Sequence, residues 1–269
     1  HKLAPHWRFS ELPKISQYIS HYQRDDLWEA DTLSLPTPLA KLRRRARAFA
    51  ETHLAPLAAE ADLSPHPVLG EHSPAMKEML VAAAKEGWLS YFLPRPIGSM
   101  EWRRGLYPPA WQSSLVVEEF SRVCGGLMLL LSAHHLGCMP LLLSGDIKVI
   151  RQFLLPVYRS CQQGDPHLVA FAITEPAAGS DVEDGHGASS YKPGVVARRC
   201  NSGWKLNGRK NFISGGDLAR TLTVFAALEG EGMDSWTCFY VDATSSGFTV
   251  ARNELKTGSQ KALIQRFFK

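Results

Sequence analysis

The decisive stretch of this sequence is Phe171-Ala172-Ile173-Thr174-Glu175-Pro176-Ala177-Ala178-Gly179-Ser180-Asp181. Its first residues have the apolar and β-branched character of a strand, and Pro176, Gly179 and Ser180 indicate a loop. A strand that ends in such a loop offers an apolar wall, a hydroxyl at Thr174, and backbone N–H groups that can approach a phosphate. On composition alone, however, the stretch is more typical of a strand that leads into an ordinary surface turn.

The hydrophobic pattern differs on the two sides of this stretch. From Thr37 onward the apolar residues recur at three- and four-residue steps, which predicts helices. These helices are a first one from Thr37 that Pro56 kinks or ends, followed by 74–86, 113–123, 127–144 and 146–156. After Pro166 short β-type runs follow at 168–174, 194–198, 203–206, 209–213, 221–228, 235–241 and 247–251. Asn207-Gly208 predicts a type I′ hairpin turn between two of them.

The sequence therefore predicts an α+β chain, in which an N-terminal all-α domain precedes a small antiparallel β-sandwich or barrel. The expected parts are an irregular N-terminal extension at 1–36, the helical domain at 37–165, the β domain at 166–258 and a C-terminal tail at 259–269.

Composition excludes several classes of protein. The chain has 269 residues, of which 45% are hydrophobic and 21% charged, as expected for about two globular domains. Its longest apolar run, 125–131, is shorter than the roughly 18 residues of a membrane span. The net charge is only +4, and the basic run 43–47 alternates with apolar residues at helical spacing, which favours a solvated helix face over a nucleic-acid site.

The five cysteines are scattered and form no CxxC pair. This pattern argues against a disulfide framework and against a zinc site, and no metal is expected. We therefore expect an intracellular, reducing compartment, which would be the cytoplasm, or the mitochondrion or peroxisome of a eukaryote.

Two segments resemble the signatures of the acyl-CoA dehydrogenase family. The first is Thr174-Glu175-Pro176-x-x-Gly179-Ser180-Asp181, and the second is Asn207-Gly208-x-Lys210-x-Phe212-Ile213-Ser214-Gly215-Gly216. Shorter matches are found at 47–62, 118–122 and 136–140. The resemblance extends from about residue 38 to about residue 258.

The resemblance implies an FAD site. Phe171, Ile173 and Thr174 would lie against the flavin, with the Thr174 hydroxyl on its pyrimidine edge. Gly179 and Ser180 would lie near phosphate groups, either of FAD or of coenzyme A. Phe212 takes a position where the family often has Trp and would stack beside the isoalloxazine, and the Ser214 hydroxyl would point at flavin N5.

The helix at 127–142 resembles the one that lines the acyl channel of the family. Met128 and Ser132 lie one turn apart and could face the acyl chain of the substrate. The small Ser132 side chain hints at medium or longer acyl chains. His134 and His135 follow on the same helix, where such a pair is more typical of packing or of a surface than of a ligand site.

Family members also have a C-terminal helical bundle, which carries a Glu base and completes the FAD site with a neighbouring subunit. We expect this bundle to be missing here, because the tail 259–269 does not continue the family pattern. We expect the tail to be a short substitute or a helix that docks on a partner. Glu118, Glu119 and Glu175 are the tempting candidates for the base within this chain, but none occupies the position of the base in the family. No catalytic residue is therefore assigned within this chain.

Three functions remain open. The first is an FAD-dependent acyl-CoA dehydrogenase component that forms a 2-enoyl-CoA, with the base and part of the FAD site supplied by a missing domain or by a partner chain. The second is a non-catalytic homologue that acts as a binding or scaffold subunit. The third is a flavin oxidase or monooxygenase on the same fold. The resemblance also implies a homo- or hetero-oligomer and an electron-transfer flavoprotein as electron acceptor.

Overall fold

The computed structural model describes residues 24–63, 71–177, 179, 193–201, 203–253 and 263–268. Its first part is helical, as the spacing predicts. The α-helices are α1 (Arg24–Ser34), α2 (Thr37–Phe49), α3 (Ala55–Leu63), α4 (Pro74–Lys85), α5 (Pro109–Val123), α6 (Gly125–Leu143), α7 (Ile147–Val149) and α8 (Leu155–Gln162). Helix α1 lies in the stretch for which an irregular extension is expected. The helical pattern therefore begins earlier than Thr37.

Short irregular helical turns join some of these helices. A π-helical turn at Ala50–Leu54 connects α2 to α3, and another at Ile150–Leu154 connects α7 to α8. A 3-10 helix, Trp102–Leu106, precedes α5. Pro156 lies in the first turn of α8, where a backbone N–H would have no partner within the helix, so its missing N–H costs no helical hydrogen bond. The helix predicted to end at Pro156 therefore continues to Gln162.

The second part of the chain is a seven-stranded sheet. Its strands are β1 (Val169–Ala172), β2 (Val196–Cys200), β3 (Gly203–Ser214), β4 (Thr221–Leu228), β5 (Thr237–Asp242), β6 (Phe248–Asn253) and β7 (Leu263–Phe268). The order is β1-β4-β2-β3-β7-β6, and β5 pairs with β4. The predicted order of helical domain and β domain is confirmed. The sheet is mixed rather than purely antiparallel, because β4 pairs in parallel with both β1 and β2.

The hairpin predicted at Asn207-Gly208 is wrong. Strand β3 runs straight through both residues, and the reversal lies before it, where Cys200 of β2 faces Gly203. Gly208 has a φ of 140°, and a Cβ atom there would overlap the carbonyl oxygen of Gly194. The glycine therefore serves close backbone packing inside the sheet rather than a turn.

The tail that was expected to be a short substitute or a helix contains a strand. Strand β7 pairs antiparallel with both β3 and β6, so it lies inside the sheet.

The basic run in α2 is not wholly a solvated face. Arg43 is only 4% exposed, and its guanidinium donates to Glu119 at 3.0 Å and to Glu118 at 3.1 Å, and also to Asp31. Asp31 belongs to α1 and the two glutamates to α5. This ion network, in which Arg43 and Glu119 are buried, therefore ties three helices together. The exposed side of α2 is narrower than the spacing suggests.

Helix α6 is the element that joins the two parts. Thr223 of β4 donates to the carbonyl oxygen of Gly137 at 3.0 Å, and a Cβ atom at Gly137 would overlap the carbonyl group of Val169 in β1. Among the described residues, α6 is the one helix long and apolar enough to cross a membrane. The sequence did not predict such a span. However, 56% of the apolar stretch of this helix is buried inside the protein. Here it acts as a core helix packed on the sheet.

Candidate functional site

The two signature segments lie side by side in the structure. The N–H of Asn211 in β3 donates to the carbonyl oxygen of Thr174 at 2.8 Å. The Nζ atom of Lys210 donates to the carbonyl oxygen of Ile173, also at 2.8 Å. These bonds fasten β3 to the chain that leaves β1, so residues separated by nearly forty positions in sequence form one continuous surface.

A buried ion pair fixes the start of the signature loop. The Glu175 carboxylate accepts from Lys210 Nζ at 2.8 Å, from the N–H of Gly194 at 2.6 Å and from the N–H of Val195 at 3.0 Å. The side chains of Glu175 and Lys210 are both 0% exposed. Burial lowers the pKa of Lys210 to about 8, although the hydrogen bond and the charge of Glu175 act in the opposite direction. The pair joins the signature loop, β3 and the segment before β2 at one point.

Phe212 has an unusual backbone. Its φ is 55°, and the pairing of β3 with β7 shifts register between Lys210 and Ile213, so Phe212 lies in a bulge. A positive φ is costly for a bulky residue and persists only where the surrounding structure imposes it. Phe212 is 47% exposed in this bulge, while Ile213 is buried. Strained residues of this kind cluster at ligand sites.

The other residues predicted for the cofactor site lie in or just after β1, in the signature loop and at the end of β3. Ile173 and Thr174 follow β1, Ser214 ends β3, and all three are half-buried, so their side chains are partly accessible. Phe171 is also half-buried, and the centroid of its ring lies 5.2 Å from that of the Phe225 ring. Gly179 is half-buried. Ser180, predicted for both the cofactor and the substrate, lies outside the described residues.

The predicted acyl-chain residues are adjacent on α6. The Ser132 hydroxyl donates to the Met128 sulfur at 3.4 Å, and both residues are half-buried. His134 and His135, two and three residues after Ser132, are buried instead. The Nε2 atoms of His134 and His135 lie 2.8 Å from the Leu89 carbonyl oxygen and 2.7 Å from that of Trp88. Burial lowers the pKa of His134 to about 4 and that of His135 well below its ordinary value.

The three carboxylates considered as candidates for the base each pair with a buried cation. Glu118 and Glu119 pair with Arg43, and Glu119 also accepts from the indole N–H of Trp28 at 2.6 Å. Glu175 pairs with Lys210. The side chains of Glu119 and Glu175 are buried, whereas that of Glu118 is 60% exposed. A general base must reach the substrate proton, which burial beside a cation opposes for Glu119 and Glu175.

The Glu175–Lys210 pair was missed as a functional contact because sequence position says little about which charges meet. A signal was available for Glu175, which directly follows the strand-forming run 171–174. A charged residue at such a position is rarely buried without a partner of opposite charge.

Known proteins share this arrangement. Residues 39–160 match the family model described as "Acyl-CoA dehydrogenase, N-terminal domain", and residues 170–268 match "Acyl-CoA dehydrogenase, middle domain". The second match includes strand β7. The two matches meet near the point where the helices give way to the sheet.

Individual relatives agree with these matches. The probable acyl-CoA dehydrogenase FadE25 of Mycobacterium tuberculosis is 29% identical over 229 residues, which cover 85% of this chain and 52% of that protein. The Caffeyl-CoA reductase-Etf complex subunit CarC of Acetobacterium woodii is 30% identical over 219 residues, covering 81% of this chain and 51% of that protein. The chain thus spans about half the length of the curated relatives it matches.

A solved structure shows the same fold. The crystal structure of a probable acyl-CoA dehydrogenase from Mycobacterium abscessus superposes with a TM-score of 0.65 at 26% identity. The superposition covers 85% of this chain and 55% of the other.

Proposed function

Because this chain belongs to the acyl-CoA dehydrogenase family, whose members are flavoprotein oxidoreductases, we propose that it forms the helical and β portion of an FAD-dependent enzyme that acts on an acyl-CoA thioester. The proposed reaction is α,β-dehydrogenation of the acyl group to a 2-enoyl-CoA. The catalytic base and part of the FAD site would come from a further domain or from a partner chain.

One observation carries the proposal. The two signature segments are fastened together by Lys210 and Asn211, and Phe212 is held in a strained bulge with its ring exposed beside them. An isoalloxazine requires a flat apolar surface and hydrogen-bonding groups at its edge. Phe212 and Ile173 would supply the surface, and the hydroxyls of Thr174 and Ser214 would supply the hydrogen bonds. The residues present therefore fit the cofactor.

The chain's own residues would bind and orient the reactants. Phe171, Ile173 and Phe212 would contact the ring system and exclude water from one side of it. Thr174 would donate to the pyrimidine edge, Ser214 would point its hydroxyl toward N5, and Gly179 with Ser180 would admit phosphate groups. When bound, FAD supplies the acceptor for the hydride that leaves the substrate β-carbon.

Helix α6 would position the acyl chain relative to this wall. Met128 and Ser132, whose side chains are in contact, would line the channel. The Ser132 side chain is small, so it would not close the channel at that turn. We propose medium or longer acyl chains on this basis. The α-proton needs a positioned carboxylate, because the α-carbon of a thioester is weakly acidic.

Partners follow from the same proposal. The CarC relative is a subunit of a caffeyl-CoA reductase-Etf complex, which supports an electron-transfer flavoprotein as the electron partner of this protein. An oligomer in which another chain or domain completes the FAD site is the assembly we propose, in a reducing intracellular compartment.

An anaerobic titration tests the function. The purified chain, together with any chain that copurifies with it, is loaded with FAD and mixed with octanoyl-CoA while the flavin absorbance is followed. Bleaching by octanoyl-CoA supports dehydrogenation. Bleaching by NADH without a thioester favours a monooxygenase. If an enoyl-CoA reoxidises the dithionite-reduced protein but octanoyl-CoA does not bleach the oxidised one, the result favours an enzyme that reduces the enoyl-CoA. A preparation that takes up no FAD, alone or with its partner, contradicts the proposal.

A further inference from the structure

Within the part of the chain that the structure describes, strand β1 pairs with one other strand and leaves its second side without a strand partner. Strand β1 lies at the end of the strand order and pairs in parallel with β4. Beyond its C-terminal end, β3 satisfies the carbonyl groups of Ile173 and Thr174. The backbone N–H of Val169, at the other end, would be a buried donor without a partner unless a side chain accepted from it.

His134 accepts that hydrogen bond. The Val169 N–H donates to His134 Nδ1 at 3.0 Å, and His134 Nε2 lies 2.8 Å from the Leu89 carbonyl oxygen. A carbonyl oxygen can only accept, so Nε2 carries the proton and Nδ1 is the acceptor. Both contacts are buried. A single neutral imidazole therefore joins α6 to β1 on one side and to the segment after α4 on the other.

The packing around this imidazole leaves α6 little freedom to shift. Gly137, three residues on, lies so close to β1 that a side chain would overlap Val169. Its carbonyl oxygen also accepts from Thr223 at 3.0 Å. These contacts fix the position of α6 along its axis relative to β1. Met128 and Ser132 lie on α6, whereas Phe171 to Thr174 belong to β1 or follow it. The same contacts therefore fix the proposed acyl channel relative to the proposed flavin wall.

We infer that His134 is a positioning residue. Its Nδ1 atom holds β1 at a fixed position relative to α6 and thereby aligns the flavin wall with the acyl channel. The inference rests on the proposed function for the identity of the two surfaces. His134 itself touches neither cofactor nor substrate. Its effect passes through Val169 to the residues that do.

Two substitutions separate the two hydrogen bonds of His134. In His134→Asn the side-chain amide lies near the position of Nδ1 and can still accept from Val169, but it does not reach Leu89. In His134→Gln the longer side chain places its amide near the position of Nε2 and keeps the Leu89 contact while losing Val169. The matched control is His135→Gln, since His135 bonds to Trp88 and not to β1.

Two measurements are made on each full chain, with its partner where one copurifies. Hydrogen exchange of the peptide 168–174 reports β1, and titration with FAD reports binding and the flavin absorption spectrum. We expect His134→Gln to raise the exchange rate of this peptide and to weaken FAD binding by about tenfold or more, because a buried donor loses its partner. His134→Asn should stay close to wild type in both, and His135→Gln should leave both unchanged.

A purely structural role would lower the melting temperature of both His134 variants without separating them. The inference is therefore overturned if Asn and Gln change exchange and FAD binding to the same extent, or if neither changes them. If the wild-type chain binds no FAD, the proposed function fails. The exchange of 168–174 then decides the role of His134 in positioning β1 by itself. If His134→Gln does not fold, a near-native exchange pattern in His134→Asn supports the inference, and a loosened one contradicts it.

Discussion

Replacing Glu175 with Gln should test how strongly the signature loop is fastened to the sheet. The Glu175 carboxylate accepts from three donors, namely Lys210 Nζ and the N–H groups of Gly194 and Val195. A glutamine at this position keeps one acceptor but turns an NH₂ group toward at least one donor. It also leaves the Lys210 ammonium buried without a counter-charge.

The expected loss of stability follows from that burial. Breaking a buried ion pair by removing one partner costs about 3 to 5 kcal/mol. At 1.36 kcal/mol per factor of ten, a loss of about 3 kcal/mol raises the unfolding equilibrium constant roughly 150-fold. The FAD affinity should fall as well, because the loop that leaves β1 is no longer fixed.

Urea unfolding of the full chain measures the first effect, and FAD titration measures the second. The control is Asp165→Asn, which breaks the pair of Asp165 with Arg220. Both side chains of that pair are about half exposed, at 51% and 49%, so solvent screening limits the loss to about 1 kcal/mol or less. The double variant Glu175→Gln with Lys210→Met should cost less than the sum of its parts, since no buried charge remains.

A Glu175→Gln variant that unfolds within about 1 kcal/mol of wild type, as the exposed control does, would refute this reasoning. So would strict additivity in the double variant, because the two charges would then not be coupled.

Further predictions concern the backbone and the buried histidine. Phe212→Gly should stabilise the chain against urea by about 1 kcal/mol, because glycine tolerates the φ of 55°. The same substitution should weaken FAD binding, because the aromatic ring is lost. A variant that binds FAD as tightly as wild type would show that Phe212 is not part of the FAD site. Gly137→Ala should destabilise by about 1 to 3 kcal/mol through overlap with Val169, and an unchanged urea midpoint would show that α6 can shift. The folded-state pKa of His134 is about 4, below the unfolded value of 6.5, so the folded protein binds fewer protons between these values. Stability from this group should be complete above pH 6.5 and lost as the pH falls toward 4, by up to about 3 kcal/mol. His135, Cys138 and His167 are the titratable groups beside it. His134→Asn should flatten this part of the unfolding profile, and an equally steep profile would assign the acid sensitivity to another group.

The sequence predicted the order of the two domains because the hydrophobic period changes from about 3.6 to 2 near residue 166. Strand β4, predicted at 221–228, is found at Thr221–Leu228 because both faces of this central strand are buried and its apolar run is unbroken. The Asn207-Gly208 error has the opposite origin. A dipeptide with strong turn propensity was overridden by the packing of β3 against the segment at Gly194.

Local sequence motifs predict which residues form the candidate site, but they do not predict the contacts that hold its segments together. Local motifs name Thr174, Phe212 and Ser214, since spacing within one segment is visible in sequence. The contacts that align the segments are long-range, as between Glu175 and Lys210 or between His134 and Val169. No periodicity reports which side chain will satisfy a particular buried backbone N–H, so such contacts must come from three-dimensional structure.

The same contacts explain why neither Glu119 nor Glu175 is proposed as the base. The Glu175 carboxylate accepts from Lys210 and from the N–H groups of Gly194 and Val195, and its side chain is buried, so it has no open path to a substrate proton. Glu119 is bound in the same way by Arg43 and Trp28, which hold α5 against α2 and α1. Positioning and proton abstraction thus make opposite demands on a carboxylate, since the first requires a buried cation beside it and the second an open path to the substrate. We therefore expect the base to arrive on a surface that packs over the exposed ring of Phe212. A second chain or domain that protects Phe212 from solvent should be the one that restores bleaching by an acyl-CoA, and a chain that restores bleaching without covering Phe212 would show this expectation to be wrong.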